Sequence, residues 1–269
     1  MGRLLEFSMQ ITVPEFRAAK TKGAKLAVVT AYDYTSARLC DESGVDAILV
    51  GDSVGMVVQG HPNSLPVTLA EMIYHTKCVM RGVKQALVVG DLPFMTYQVS
   101  AKQAVRSAGR LMKESGAHAV KLEGGVRMRA AIRACVDAGI PVMAHVGLTP
   151  QSVHQMGGFK VQRDADALLA DIAAVEEAGA FAAVVESVPA DLGAKLTASV
   201  TIPTIGIGAG AGCDGQVLVF HDLLGLYPDF KPKFAKRYAD LGAAVKTAVE
   251  SYCNEVRTGA FPAAEHTFR

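Results

Sequence analysis

The chain has 269 residues, half of them hydrophobic and a fifth charged, which suits a folded chain with a sizeable core and excludes general disorder. With 27 basic against 26 acidic residues, a formal net charge of +1 and no long run of one sign, nothing points to nucleic acid or an anionic membrane as partner. The five cysteines, Cys40, Cys78, Cys135, Cys213 and Cys253, are scattered and lack C-x-x-C spacing, which excludes a disulfide framework or a cysteine zinc site and leaves reduced, packing cysteines.

The opening MGRLLEFSMQITVPEF has neither a continuous apolar segment nor a small-residue cleavage site. No later stretch approaches the roughly 18 uninterrupted apolar residues of a membrane span, so a cytoplasmic protein is expected. The first candidate strand is KLAVVTAYD (25–33), followed by DAILVGDS (46–53) and a helix with apolar residues at three-and-four spacing, TLAEMIYHTKCVMRG (68–82). Then come strand QALVVGDLPF (85–94), helix SAKQAVRSAGRLMKESGA (100–117), strand HAVKLEGG (118–125), helix VRMRAAIRACVDAG (126–139) and strand IPVMAHVGL (140–148). Helix ADALLADIAAVEEAGA (165–180) leads to the last three strands, FAAVVESVP (181–189), IPTIGIGAG (202–210) and GQVLVFHDLLG (215–225). Several helices finish in glycine just before the next strand, a common stop signal.

Eight strands alternating with helices, without a composition break, argue for parallel strands and crossover helices. The expected architecture is α/β, a single-domain (β/α)8 TIM barrel over 1–269, a size close to the typical 250 or so residues. An N-terminal extension (about 1–23) and a C-terminal helix and tail (about 231–269) lie outside the repeat. An open doubly wound sheet is the alternative, because strand count alone does not prove closure.

In such a barrel the active site lies at the C-terminal ends of the strands. Polar residues close several apolar runs there: Asp52 and Ser53, Asp91, Lys121 and Glu123, His145, and Glu186. Counting back in twos puts Asp52 with Val50 and Ile48, Asp91 with Val89 and Leu87, and Glu186 with Val184 and Ala182, each set expected to face inward. A single Asp there would be an ordinary turn former or cap, but three adjacent strands ending in carboxylates need positive compensation. Lys121 supplies one charge, and a divalent cation would balance the rest; oxygen ligands favour Mg2+. Lys121 has three readings: an ion pair with Glu123, an amine nucleophile, or a cation binding a substrate carboxylate. The surrounding carboxylates favour the last. His145 could donate to a substrate oxygen, and Glu186, on a strand of Ala, Val and Phe, suits proton transfer. The run GIGAG (206–210) is similar to the phosphate cradles of many barrels, but it could equally be a tight turn that Asp214 shapes.

Motifs along most of the chain resemble the ketopantoate hydroxymethyltransferase family: TAYDY (30–34), VGDSVGMVVQGH (50–61), LPVTL (65–69), DLPFM (91–95), VKLEGG (120–125), AHVGLTPQS (144–152), GGFKVQ (157–162), GIGAG with CDGQ (206–216) and PKFAK (232–236). The resemblance implies a Mg2+-dependent (β/α)8 barrel that transfers a hydroxymethyl unit from 5,10-methylenetetrahydrofolate to 3-methyl-2-oxobutanoate, giving 2-dehydropantoate for pantothenate synthesis, and a homo-oligomer, often a decamer. It implies a metal site of Asp52, Asp91 and Glu123, substrate contacts from Asp52, Ser53, Asp91, Lys121 and His145, and Glu186 as proton acceptor. Departures from the family pattern are Ser64 in place of Thr, Ala144 in place of Gly and Phe159 in place of Tyr. Another Mg2+-dependent barrel lyase or aldolase acting on 2-oxo acids is the alternative, separated by dependence on methylenetetrahydrofolate.

Overall fold

The computed structural model describes residues 10–227 and 232–268. Eight strands occur in the expected order: β1 (Leu26–Thr30), β2 (Ala47–Val50), β3 (Leu87–Asp91), β4 (Ala119–Glu123), β5 (Val142–Gly147), β6 (Ala182–Glu186), β7 (Thr204–Ile207) and β8 (Gly215–Leu218). Each pairs in parallel with its neighbour in sequence, and β1 pairs with β8, so the sheet is a closed barrel and the open alternative falls.

Local chemistry explains the elements between the strands. The helix Leu69–Gly82 begins in a capping box in which Thr68 and Glu71 satisfy each other's backbone N–H groups, and it buries Met72, Ile73, Thr76 and Val79 at helical spacing. The helix Ala101–Ser115 is capped by Ser100 and ends at Gly116, whose φ of 86° is the left-handed turn that glycine adopts without strain.

Register decides what points into the barrel. Leu26, Val28, Ala47, Leu49, Leu87, Val89, Ala119, Met143, Ala182, Val184, Ile205 and Val217 form one buried cluster. On β3 and β6 the inward faces are those expected, leading to Asp91 and Glu186. On β2 the expected parity is reversed: Ala47 and Leu49 face inward, so Ile48 and Val50 face the helices. Continuing the pairing of Val50 with Gly90 brings Gly51, not Asp52, opposite Asp91. Asp52 therefore enters the mouth from the turn that follows β2. A continuous apolar run buried on both faces carries no alternation from which the parity could be read.

The N-terminal ends of the strands are closed by the helix Val13–Ala18. Its Phe16 joins the barrel cluster and meets Phe181 edge to face, with ring centroids 5.9 Å apart. Nearby, Lys20 Nζ donates to the carbonyls of Thr197 (2.7 Å) and Ile202 (3.1 Å) and pairs with Asp214 at 3.1 Å.

The chain divides into two compact units, Met1–Val219 with the barrel and Phe220–Arg269. Within the second, Tyr238 N–H donates to Leu223 O (2.8 Å) and Gly242 N–H to Gly225 O (3.0 Å), ahead of the long helix Leu241–Thr258. That helix buries none of its residues, and Leu241, Val245, Val249, Tyr252 and Val256 form an apolar stripe exposed to between 37% and 55%. In the barrel unit the outward residues of β2 to β5 are buried. Those of β1 and β8 are not: Ala27 and Gln216 are exposed, and Val29 and Leu218 only partly covered. Among the described residues no helix is long and apolar enough to cross a membrane.

Candidate active site

The polar residues that close the strands meet at one end of the barrel because adjacent strands are in register. Asp91 lies opposite Lys121, Glu123 opposite His145, and Gly147 opposite Glu186. The side chains form an almost continuous ionic row. Lys121 Nζ donates to Asp91 Oδ2 at 2.6 Å and lies 3.9 Å from Glu123 Oε1. His145 Nδ1 is 3.5 Å from Glu123 Oε1, and its Nε2 is 3.2 Å from Glu186 Oε2. Both imidazole contacts are close enough for charge attraction but too poorly aligned to be hydrogen bonds. Asp52, Asp91, Lys121, Glu123 and His145 are all buried, whereas Glu186 is partly open to solvent.

Two glycines allow the close approach. A Cβ on Gly147, whose φ is 93°, would sit 2.3 Å from Glu186 O, so only glycine lets the Glu186 backbone lie here. A Cβ on Gly51 would come within 2.9 Å of Ser53 Oγ, on its way toward Asp91 Oδ2. Ser53 Oγ shares a 2.8 Å hydrogen bond with the Tyr32 hydroxyl, and Tyr32 O is 2.7 Å from His75 Nδ1.

Burial and the neighbouring charges set the electrostatics. Burial, reinforced by Asp91 and Glu123, pushes the Asp52 carboxyl well above the usual carboxylate range. Burial also raises Asp91, with Lys121 only partly opposing it. For Glu123 burial is outweighed by His145, Lys121 and the Gln151 N–H, so its acid is stronger than usual. Burial of Lys121 and His145 works against their charges, but the carboxylates prevail. Lys121 is held above the ordinary lysine value by Asp91, Glu123 and Asp52, and His145 is pushed up to about 9 by Glu123 and Glu186. A firmly protonated Lys121 suits anion binding and is a poor amine nucleophile.

Among the described residues no group of three or more His, Cys, Asp or Glu side chains converges as a ready-made metal cluster. The carboxylates of Asp52, Asp91 and Glu123 are instead held by Gln151, Lys121 and His145. Their chemistry nonetheless fits a hard divalent cation: the donors are all oxygen, and Asp91 Oδ1 is buried without a hydrogen-bond partner.

The family model described as ketopantoate hydroxymethyltransferase matches residues 10–264. The chain belongs to the ketopantoate hydroxymethyltransferase family. Its relatives named 3-methyl-2-oxobutanoate hydroxymethyltransferase include that of Moorella thermoacetica, 56% identical over 97% of this chain and 98% of the relative. That of Clostridium novyi is likewise 56% identical, over 97% and 96% of the two chains. The chain is accordingly a hydroxymethyltransferase. Among solved structures, a phosphonopyruvate hydrolase superposes with a TM-score of 0.65 at 16% identity, covering 96% of this chain and 93% of its own. A 2,3-dimethylmalate lyase, described as a PEP mutase/isocitrate lyase superfamily member, gives 0.60 at 17% identity, covering 97% and 93%. At these identities the likeness is one of fold.

Two further residues of the candidate site, Tyr97 and Gln151, carry no charge that would single them out in the sequence, although Gln151 falls within AHVGLTPQS. Both are buried, and both bond to Glu123. Neither titrates near neutrality nor ends a strand, so only their partners reveal them. The run GIGAG is closely packed rather than open: a Cβ on Gly206 would meet Cys213 Sγ at 3.0 Å, and one on Gly210 would meet Ala190 at 2.5 Å. Asp214 accepts from Thr204 N–H at 2.9 Å and shapes the β7–β8 turn.

Proposed function

We propose that this hydroxymethyltransferase moves a one-carbon unit from 5,10-methylenetetrahydrofolate to 3-methyl-2-oxobutanoate, giving 2-dehydropantoate. The observation that carries this reading is the row of buried Asp91, Lys121, Glu123 and His145 ending in the partly exposed Glu186, which sets a fixed cation and a solvent-accessible carboxylate on one barrel mouth. Lys121, kept protonated by its neighbours, attracts the carboxylate of the oxo acid, and His145 and Ser53 orient it. Asp52, Asp91 and Glu123 would hold Mg2+, which as a Lewis acid would make the C3 proton of the oxo acid more acidic. Glu186 takes that proton, and its partial exposure lets it exchange the proton with solvent. The C3 carbon then bonds to the folate methylene carbon as one of that carbon's two bonds to folate nitrogen breaks, and water displaces the second nitrogen and supplies the hydroxyl oxygen. The two freed nitrogens take up the proton lost from C3 and one from water, releasing tetrahydrofolate. Purified protein given the oxo acid, methylenetetrahydrofolate and Mg2+ is expected to release 2-dehydropantoate, and none when the folate is omitted. Equal product without the folate would overturn this reading in favour of a lyase or aldolase. All five cysteines are free, in keeping with a cytoplasmic setting for the reaction.

We also propose that the chain works as a homo-oligomer, in line with the decamer that the family resemblance implies. Each copy carries an exposed apolar stripe along the helix Leu241–Thr258. Self-association of that stripe between copies would bury it. Light scattering after size exclusion should give a multiple of the 28.3 kDa chain, and the paired change Val245→Glu and Val249→Glu should lower it. A monomeric unsubstituted protein contradicts the proposal.

A further inference from the structure

We propose that Gln151 is a positioning residue that ties Asp52 to Glu123 and so sets how tightly the site holds a divalent cation. The inference rests on the assignment of those carboxylates to a metal, made above. Gln151 lies in the turn Pro150–Ser152 after β5 and is buried. Its side-chain Nε2 donates to Asp52 Oδ2 and to Leu92 O, both at 2.9 Å. Its Oε1 accepts from the Tyr97 hydroxyl at 2.7 Å and from Gln98 Nε2 at 3.0 Å. An amide has two N–H donors and two acceptor lone pairs, and here all four are used. The orientation is dictated by chemistry, because the Leu92 carbonyl can only accept; the flipped amide would set oxygen against oxygen there.

The backbone of the same residue completes a ring. Gln151 N–H donates to Glu123 Oε2 at 2.9 Å, Glu123 N–H donates to the Tyr97 hydroxyl at 3.0 Å, and that hydroxyl donates to Gln151 Oε1. Each member orients the next, and the ring holds both the main chain and the carboxylate of Glu123. Asp52 depends on it most. It sits beyond the last ladder pair of β2, in a turn, and it is Gln151 that ties its carboxylate to the β5 side of the barrel. Carboxylates arranged in this way need little reordering when a cation binds, which is how residues behind the ligands commonly tune metal affinity.

The test is Mn2+ binding to the purified full-length protein, followed through the electron paramagnetic resonance signal of free Mn2+, with thermal melts of each variant. Gln151→Ala is expected to weaken binding by about 10- to 100-fold. Tyr97→Phe, which removes one hydroxyl and keeps the ring packed, should weaken it less. A role in packing alone would lower the melting temperature and leave the affinity of the folded protein unmoved. Folded Gln151→Ala with affinity within twofold of the unsubstituted protein overturns the inference. Where Gln151→Ala does not fold, unchanged affinity in Tyr97→Phe overturns it instead. Absence of Mn2+ binding by the unsubstituted protein is a different outcome, which removes the metal assignment itself and this inference with it.

Discussion

Glu186→Gln is expected to lower kcat by about 10²- to 10⁴-fold, the usual range for loss of a positioned general base, without unfolding the protein. The amide is nearly isosteric and the site is partly open, so no buried charge is orphaned. Solvent deuterium exchange at C3 of the oxo acid isolates the step from folate chemistry, and exchange undiminished in the variant rules Glu186 out as the base. A second readout follows from the 3.2 Å contact with His145 Nε2. Burial opposes the imidazolium, and Glu123 and Glu186 together lift it to about 9, so loss of one carboxylate should move the His145 titration downward by nuclear magnetic resonance. The sign for stability is set by the same contacts. A histidine raised above its unfolded value contributes fully below about pH 6.5, and that contribution is lost as pH rises through about 9. In metal-free protein the pH dependence of the melting temperature across this window should be smaller in Glu186→Gln than in the unsubstituted chain.

Lys121→Met should abolish turnover and destabilise the fold by about 3–5 kcal/mol, the cost of removing one partner from a buried ion pair. Lys121 and Asp91 are both buried and 2.6 Å apart, so solvent offers little relief to the carboxylate left behind. Without the ammonium, Asp91, Asp52 and Glu123 remain together in one mouth. Burial already raises Asp52 and Asp91, and the substitution raises them further. Acids whose folded values lie above their unfolded ones favour the native state when protonated, so the deficit is largest at alkaline pH and shrinks as pH falls. Urea unfolding at pH 5.5 and pH 8 measures it. Equal deficits at both would mean that lost packing, rather than the unpaired carboxylates, explains the instability.

Strand existence and order were legible because each β-rich run is short and bounded by helices with their own caps and glycine stops. Thr68 with Glu71, and Ser100 with Gly116, are local signals that need no knowledge of the rest of the chain. The inward faces of β3 and β6 were legible for the same reason, since a charged residue at the end marks the parity. On β2 the same mark misled: Asp52 lies in the turn beyond the strand, Ile48, Leu49 and Val50 are equally apolar, and barrel closure decided which of them faces inward. The helix Val13–Ala18 reads as a short extension in sequence, and its role as a plug depends on Phe181, a residue far along the chain.

By itself the sequence determined which charges end the strands, and the family motifs followed from those same short stretches. Asp91, Lys121, Glu123, His145 and Glu186 could be picked out because an ionisable group after an apolar run is costly wherever the chain goes. The tertiary structure alone decided that Asp52 arrives from a turn and that Tyr97 and Gln151 stand behind the carboxylates. It also decided that GIGAG packs closely against Ala190 and Cys213. The physical reason is the range of the interactions. Caps, periodicity and strand ends are settled within a few residues, whereas a neutral amide such as Gln151 acquires its meaning from partners at Asp52, Leu92, Tyr97, Gln98 and Glu123, which only closure of the barrel brings within hydrogen-bond reach.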